Sequence, residues 1–169
     1  MRVAAPADND TAKVWDARTG AVISVLRGHD GSVNAVRFDP GGQRLVTASS
    51  DGTARIWDAA TGKSLRVLSG HKAGVIAAVF SPDGRRVLTG SADNTAKIWD
   101  ADNGKILNTL SGHTGTVALV AFSPDGKRAL TVSPIDETLR LWDAQTGKPL
   151  RGGIIWRGGV WGAAFSPDG

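Results

Sequence analysis

The sequence predicts an all-β chain, a radial array of short four-stranded antiparallel sheets, and three observations predict it. Tryptophans followed by aspartate stand at Trp15, Trp57, Trp99 and Trp142, spaced by 42, 42 and 43 residues. His29, His71 and His113 keep the same 42-residue step. All four phenylalanines, Phe38, Phe80, Phe122 and Phe165, fall at one place in the period, just before a proline-containing turn. A fixed period of this size marks supersecondary units that cover each other by stacking, not one irregular domain.

The stretch Ser81–Asp100 is the unit in its clearest form. In Ser81-Pro82-Asp83-Gly84 the proline presets φ, the aspartate bonds nearby amides and the glycine supplies a positive φ, so the chain reverses between two strands. Val87-Leu88-Thr89 and Ala96-Lys97-Ile98-Trp99 are β-rich and too short for helices. Further turns fall at Asp100–Gly104 and Ser111–Gly115, giving four strands per period, expected to form one antiparallel sheet. The phenylalanine slot is expected to be core, since an aromatic contributes its area only where neighbours cover it.

Gly70-His71, Phe80-Ser81-Pro82-Asp83-Gly84, Ser91-Ala92-Asp93 and Ile98-Trp99-Asp100 together resemble a blade of the WD-repeat (WD40) β-propeller family, in wording closest to the long arrays of bacterial members. The resemblance covers essentially the whole chain, and several motifs recur in register.

In chain order, residues 1–16 read as half a blade, with Val3-Ala4-Ala5, a turn at Asn9-Asp10, and Ala12–Trp15. Residues 20–58, 62–100 and 104–143 are complete units, the first with strands at Val22–Leu26, Val33–Phe38, Leu45–Ala48 and Ala54–Trp57. The third carries one extra residue near Pro134-Ile135, so a bulge or widened turn is expected there. Residues 148–169 supply two strands that complement the first half blade, making four blade-equivalents in all. Closure within one chain demands about 90° per blade, whereas larger rings turn by about 45–50°. The expected assembly is therefore a homodimer forming one eight-bladed ring, residues 1–16 of each copy pairing with 148–165 of the other.

Composition excludes several classes. With no cysteine there is neither a disulfide framework nor a thiolate metal site. No apolar run is long enough to span a bilayer and the start has no apolar signal core, so no membrane partner and a cytoplasmic location are expected. The net charge of +4 is interspersed, which disfavours nucleic acid. A basic residue precedes each repeat tryptophan by two positions, at Lys13, Arg55, Lys97 and Arg140. A basic ring for an anionic partner is the sharper reading; aliphatic stems covering apolar surface is the preferred one.

The resemblance implies a buried hydrogen-bond chain in each blade, from indole to hydroxyl to histidine to aspartate. The sets are His29, Ser49, Asp51 and Trp57; His71, Ser91, Asp93 and Trp99; and His113, Ser133, Asp136 and Trp142, with Thr47, Thr89 and Thr131 as alternative hydroxyls. The Ser-His-Asp combination also looks like a hydrolase triad, but it recurs three times at repeat spacing without a nucleophile elbow. Equivalent slots sit on different blades, so the histidines should not converge on a metal ion. No catalytic, cofactor or metal site is expected. The composite blade departs from the pattern: Trp156 holds the histidine slot, Asn9 the aspartate slot, and Ala5 and Ala7 the hydroxyl positions.

For binding, the resemblance points to the face of the histidine loops and the start of the innermost strand. One slot there holds Asn34, Ile76, Ala118 and Trp161, and the loops add Asp30, Lys72, Thr114 and Arg157. Differences among copies at one slot suggest a contact surface, with Trp161 as its aromatic; packing of the seam by Trp156 and Trp161 is the plainer alternative. The leading function is a non-enzymatic scaffold binding a protein or peptide. Its rivals are an engineered or repeat-amplified fragment with no evolved partner, and a small-ligand or enzyme site in the central channel.

Overall fold

A computed structural model describes residues 1–150, 154–155 and 162–168. Among these there is no helix, and fifteen strands form four antiparallel sheets. Sheet 1 holds β1 (Arg2–Ala7), β2 (Thr11–Asp16) and β3 (Val22–Leu26). Sheet 2 holds β4 (Val33–Phe38), β5 (Arg44–Ser49), β6 (Thr53–Asp58) and β7 (Ser64–Ser69). Sheet 3 holds β8 (Val75–Phe80), β9 (Arg86–Ser91), β10 (Thr95–Asp100) and β11 (Ile106–Ser111). Sheet 4 holds β12 (Leu119–Phe122), β13 (Arg128–Ser133), β14 (Thr138–Asp143) and β15 (Ile154–Ile155).

The hydrogen-bonded sheets are out of phase with the sequence repeat by one strand. Val22–Leu26 was expected to open the sheet of residues 20–58, yet it pairs with β2 across the five-residue turn 17–21. The physical reason is the turn: the Asp16 carboxylate accepts the amides of Arg18 and Thr19, and Gly20 turns the chain with φ 72°. That hairpin closes tightly, and the following segment, residues 27–32, crosses to the next sheet. Among the described residues sheet 1 therefore holds three strands, where the sequence reading places two. For the same reason residues 148–150 and 154–155 lie with their own sheet, through the Trp142–Pro149 bridge and β15 on β14. The expected second strand of that stretch ends at Phe165; residues 162–166 carry no strand, and residues 156–161 lie outside the described residues.

The turns follow their chemistry. Gly42, Gly84 and Gly126 take φ of 67–69° in the proline-containing turns. The extra residue of the third unit widens the β13–β14 turn without shifting the β13–β14 register. Glu137, at the place of Gly52 and Asn94, is held at φ 56°.

Each sheet buries one face against the next. Ala12, Val14 and Leu26 of sheet 1 cluster with Leu45 and Trp57 of sheet 2. Val46, Ile56 and Leu68 then cluster with Val87 and Trp99, and Leu88, Ile98 and Leu110 with Ala129 and Trp142. Strands β1, β4, β8 and β12 pack against one another in turn, so the sheets fan from a shared inner side. The phenylalanine slot is only partly core: Phe80 is 8% exposed, whereas Phe38 and Phe122 are half-buried. An arginine from the preceding sheet lies over each ring: Arg2 over Phe38 at 5.8 Å, Arg44 over Phe80 at 5.1 Å, and Arg86 over Phe122 at 5.2 Å. The same guanidinium groups donate to the carbonyls of Gly42, Gly84 and Gly126 at 2.5–2.6 Å.

Candidate functional site

Each of sheets 2, 3 and 4 contains one buried polar chain. The histidine sits on the crossing segment between sheets, the threonine on the second strand, the aspartate in the following turn and the tryptophan on the third strand. In sheet 2, Trp57 Nε1–H donates to Thr47 Oγ1 at 2.8 Å, Thr47 lies 2.7 Å from His29 Nε2, and His29 Nδ1 lies 2.7 Å from Asp51. In sheet 3 the chain is Trp99, Thr89, His71 and Asp93 at 2.8, 2.7 and 2.8 Å. In sheet 4 it is Trp142, Thr131, His113 and Asp136 at 2.9, 2.7 and 2.9 Å. Since the indole can only donate, the threonine hydroxyl donates to Nε2 and Nδ1–H donates to the carboxylate.

The hydroxyl is thus threonine, and the serine assignment is corrected. Trp57 is paired with Leu45 and Thr47 is its diagonal neighbour, whereas Ser49 lies two residues further along, about 7 Å at strand rise. Ser49 and Ser91 instead donate to the loop carbonyls of Gly31 and Ala73 and accept the amides of Asp51 and Asp93. Ser133 accepts the amide of Asp136. Sequence reasoning missed Thr53, Thr95 and Thr138, whose hydroxyls donate to the same aspartates at 2.6–2.7 Å. Their signal was available, a threonine two residues after each aspartate.

Electrostatics match the geometry. Burial pushes His29, His71 and His113 below the usual histidine value, outweighing the aspartate beside each ring. Burial works to raise Asp51 and Asp136, but the hydrogen bonds from Thr53 and Thr138, the histidines and loop amides hold both down to about 2. Asp93 is lowered in the same way. Each chain is therefore neutral imidazole on carboxylate. The threonine oxygen is fully buried and already accepts an indole N–H, so it is not placed as a nucleophile. Among the described residues no three histidine, aspartate or glutamate side chains gather as a metal site.

Asn34, Ile76 and Ala118 come together. Alongside Arg37, Val79 and Leu119 they line an inner cleft of about 360 Å³ along β4, β8 and β12. Asn34 also ties two sheets, donating to the Val75 carbonyl at 2.8 Å and Ser50 Oγ at 3.1 Å. Asp30, Lys72 and Thr114 share one role: the backbone N–H holds the network aspartate while the residue is exposed. Trp156, Arg157 and Trp161 lie outside the described residues. Arg55 reaches over Trp57 at 6.0 Å, and Lys97 Nζ donates to Thr109, so these two basic side chains lie along their sheets. Sequence reasoning missed a second cleft, about 390 Å³ between sheets 3 and 4, lined by Arg86, Asp125, Lys127 and Asp143. No helix of the described residues is long and apolar enough to cross a membrane.

Stacked four-stranded sheets, each locked by a Trp-Thr-His-Asp chain, define the repeat class. The WD domain, G-beta repeat family profile matches residues 20–58, 62–100 and 104–143, more than half of the chain, and the chain belongs to that WD40 family. WD40 repeats generally mediate protein–protein interaction. Among curated relatives, Nuclear distribution protein nudF 1 of Talaromyces marneffei is 51% identical over 41 residues, 24% of this chain and 9% of that protein. Nuclear distribution protein PAC1 of Coccidioides posadasii is 43% identical over 49 residues, 29% of this chain and 10% of that protein. The matches thus span about a tenth of the length of those relatives. A crystal structure of the computationally designed Ika8 protein is similar at a TM-score of 0.82 and 32% identity, over 94% of this chain and 47% of that one.

Proposed function

We propose that this chain is a non-enzymatic scaffold that binds a protein or peptide on its inner cleft and histidine-loop face, and that assembles by strand exchange between its terminal sheets. One observation carries the binding reading: Asn34, Ile76 and Ala118 occupy one register slot in three copies, differ chemically, and line a single cleft. The cleft mixes apolar wall from Ile76 and Val79 with a cation at Arg37, which suits an extended peptide with aliphatic side chains and a carboxylate. Residues 148–150 and 154–155 lie with sheet 4, which favours the segment ending at Phe165 as the exchanged element.

The test is selection of a random peptide library on the immobilised chain, followed by the variants Ile76→Glu and Arg37→Glu, with Lys63→Glu as an exposed control. Peptides that enrich on the parent and the control and are lost on both cleft variants support the reading. Enrichment indifferent to the cleft variants overturns it. The likeness to a designed chain favours a second reading, an engineered or repeat-amplified array without an evolved partner, and no enrichment at all is its outcome.

A further inference from the structure

Arg44 and Arg86 occupy the same place in successive copies and tie their sheets in the same way, donating to the carbonyls of Gly84 and Gly126. Their carboxylate partners differ. Arg44 Nε–H donates to Asp39 at 3.1 Å, and its Nη1 faces Asp102 across the gap between sheets 2 and 3 at 3.5 Å. One repeat later Ser81 takes the place of Asp39, and Gln145 that of Asp102. Ser81 Oγ accepts the Arg86 backbone amide, as Asp39 Oδ1 accepts that of Arg44, but it has no second oxygen for the side chain. Asp83 is held in its own turn by the Ser81 hydroxyl and the Arg85 amide. Among the described residues Arg86 therefore makes no ion pair, and its Nε–H has no acceptor.

The cleft of about 390 Å³ between sheets 3 and 4 lies at this arginine. It is on the face opposite the histidine loops, since the β12–β13 turn and the turn after β14 stand at the strand ends away from the β13–β14 turn. Arg86 and Lys127 line it against Asp125 and Asp143, so the charges cancel and net charge alone draws no ligand in. Their pattern is what can be read. Asp125 Oδ1 accepts from Ser123 and the Lys127 amide, and Asp143 Oδ1 from Gln145 and Thr146. Among the described residues the second oxygen of each has no donor, and the exposed Lys127 makes no ion pair.

A ligand here must meet both cations and both acceptors. A bare carboxylate suits the cations and is repelled by the aspartates, whereas a carboxylate flanked by N–H groups suits all four. We propose that this cleft binds an acidic side chain of a partner peptide, its carboxylate on Arg86 and Lys127 as Asp102 lies on Arg44, and its backbone N–H groups toward Asp125 and Asp143. The site is separate from the inner cleft, so it stands or falls apart from the peptide reading given there.

The test is an NMR titration of the full chain that follows Arg86 Nε–H and the amides of Gly126 and Lys127. The probes are the capped peptide acetyl-Ala-Glu-Ala-amide, its glutamine counterpart and free glutarate. Gln145→Asp sets a carboxylate where Asp102 stands, Lys127→Glu reverses the second cation, and both positions are exposed, so the fold should hold. Lys63→Glu, exposed on sheet 2, is the control. The expected result is a saturable shift of the followed groups with the glutamate peptide, about tenfold weaker in Gln145→Asp and in Lys127→Glu and unchanged in the control. No saturable shift, equal shifts from the glutamine peptide, or binding indifferent to both cleft variants overturns the proposal. Glutarate binding as tightly as the glutamate peptide overturns the assignment to a peptide, since the aspartate acceptors then add nothing.

Discussion

Thr47, Thr89 and Thr131 are the pivots of the buried chains, each accepting from an indole and donating to an imidazole with no exposed surface. Thr89→Val keeps the shape but strands two buried groups, so urea unfolding should show a loss of about 1–3 kcal/mol. His71→Ala should cost about the same, by leaving Thr89 and Asp93 short of a partner. Protons give a second test. The folded histidines lie below 6.5, so the unfolded state takes up protons that the folded state refuses. Stability is fully present above about pH 6.5 and is lost as pH falls through that value. The aspartates held near 2 add a lower window, in which stability is lost from about pH 4 downward. Calorimetry from pH 8 to 5 should find a flat Tm, then a decline that shrinks in His71→Asn. Glu137 bears a left-handed φ that glycine adopts freely, so Glu137→Gly should raise stability by about 0.5–1 kcal/mol in the same urea assay. At this scale the recurrence of the histidines and tryptophans was legible from spacing, and their joining with the aspartates in one chain from the resemblance to WD40 repeats. The hydroxyl was not, because threonine and serine sit two apart on the same strand face and only the diagonal from tryptophan separates them.

Among elements, the forward-reaching arginines join neighbouring sheets where hydrogen-bonded ladders do not. Arg86 donates to the carbonyls of Gly126 and Ala144 and lies over Phe122. Arg86→Gln should therefore cost about 1–2 kcal/mol, read by thermal and urea unfolding together. Gly112 tests close packing at the crossing into sheet 4: a Cβ there meets Arg140 Nη1 at 2.8 Å on a backbone of φ 148°, so Gly112→Ala should lower the Tm. The strands themselves were legible, and their turns supplied the reason. Their grouping into sheets was not, since the segment before β3 and the one after it are both short, and length does not distinguish a hairpin from a crossing. The arginines share the 42-residue step at Arg2, Arg44 and Arg86, but so do the basic residues beside the tryptophans, of which Arg55 and Lys97 lie along their own sheets.

For the whole molecule, stability should be uneven. Among the described residues sheet 1 has three strands, a tryptophan only half-buried and alanines at the hydroxyl positions, and holds no polar chain like that of its neighbours. In hydrogen exchange on dilute protein, amides of β1 and β2 should open first and those of β5 and β9 last. Equal protection across the sheets would show that the polar chains contribute little to local stability.

The one-strand offset between covalent period and sheet has a consequence for how such arrays grow. A duplicated 42-residue segment brings three strands for a new layer and one for the layer behind it, so every addition arrives already latched to its predecessor, as overlapping tiles are. A cut inside the hairpin turn 17–21 or 59–63 splits a layer, whereas one in the crossing segments 27–32 or 70–74 falls between layers. The unit that is copied and the unit that folds share one period and differ in phase by a strand, and that offset ties each layer to the one behind it.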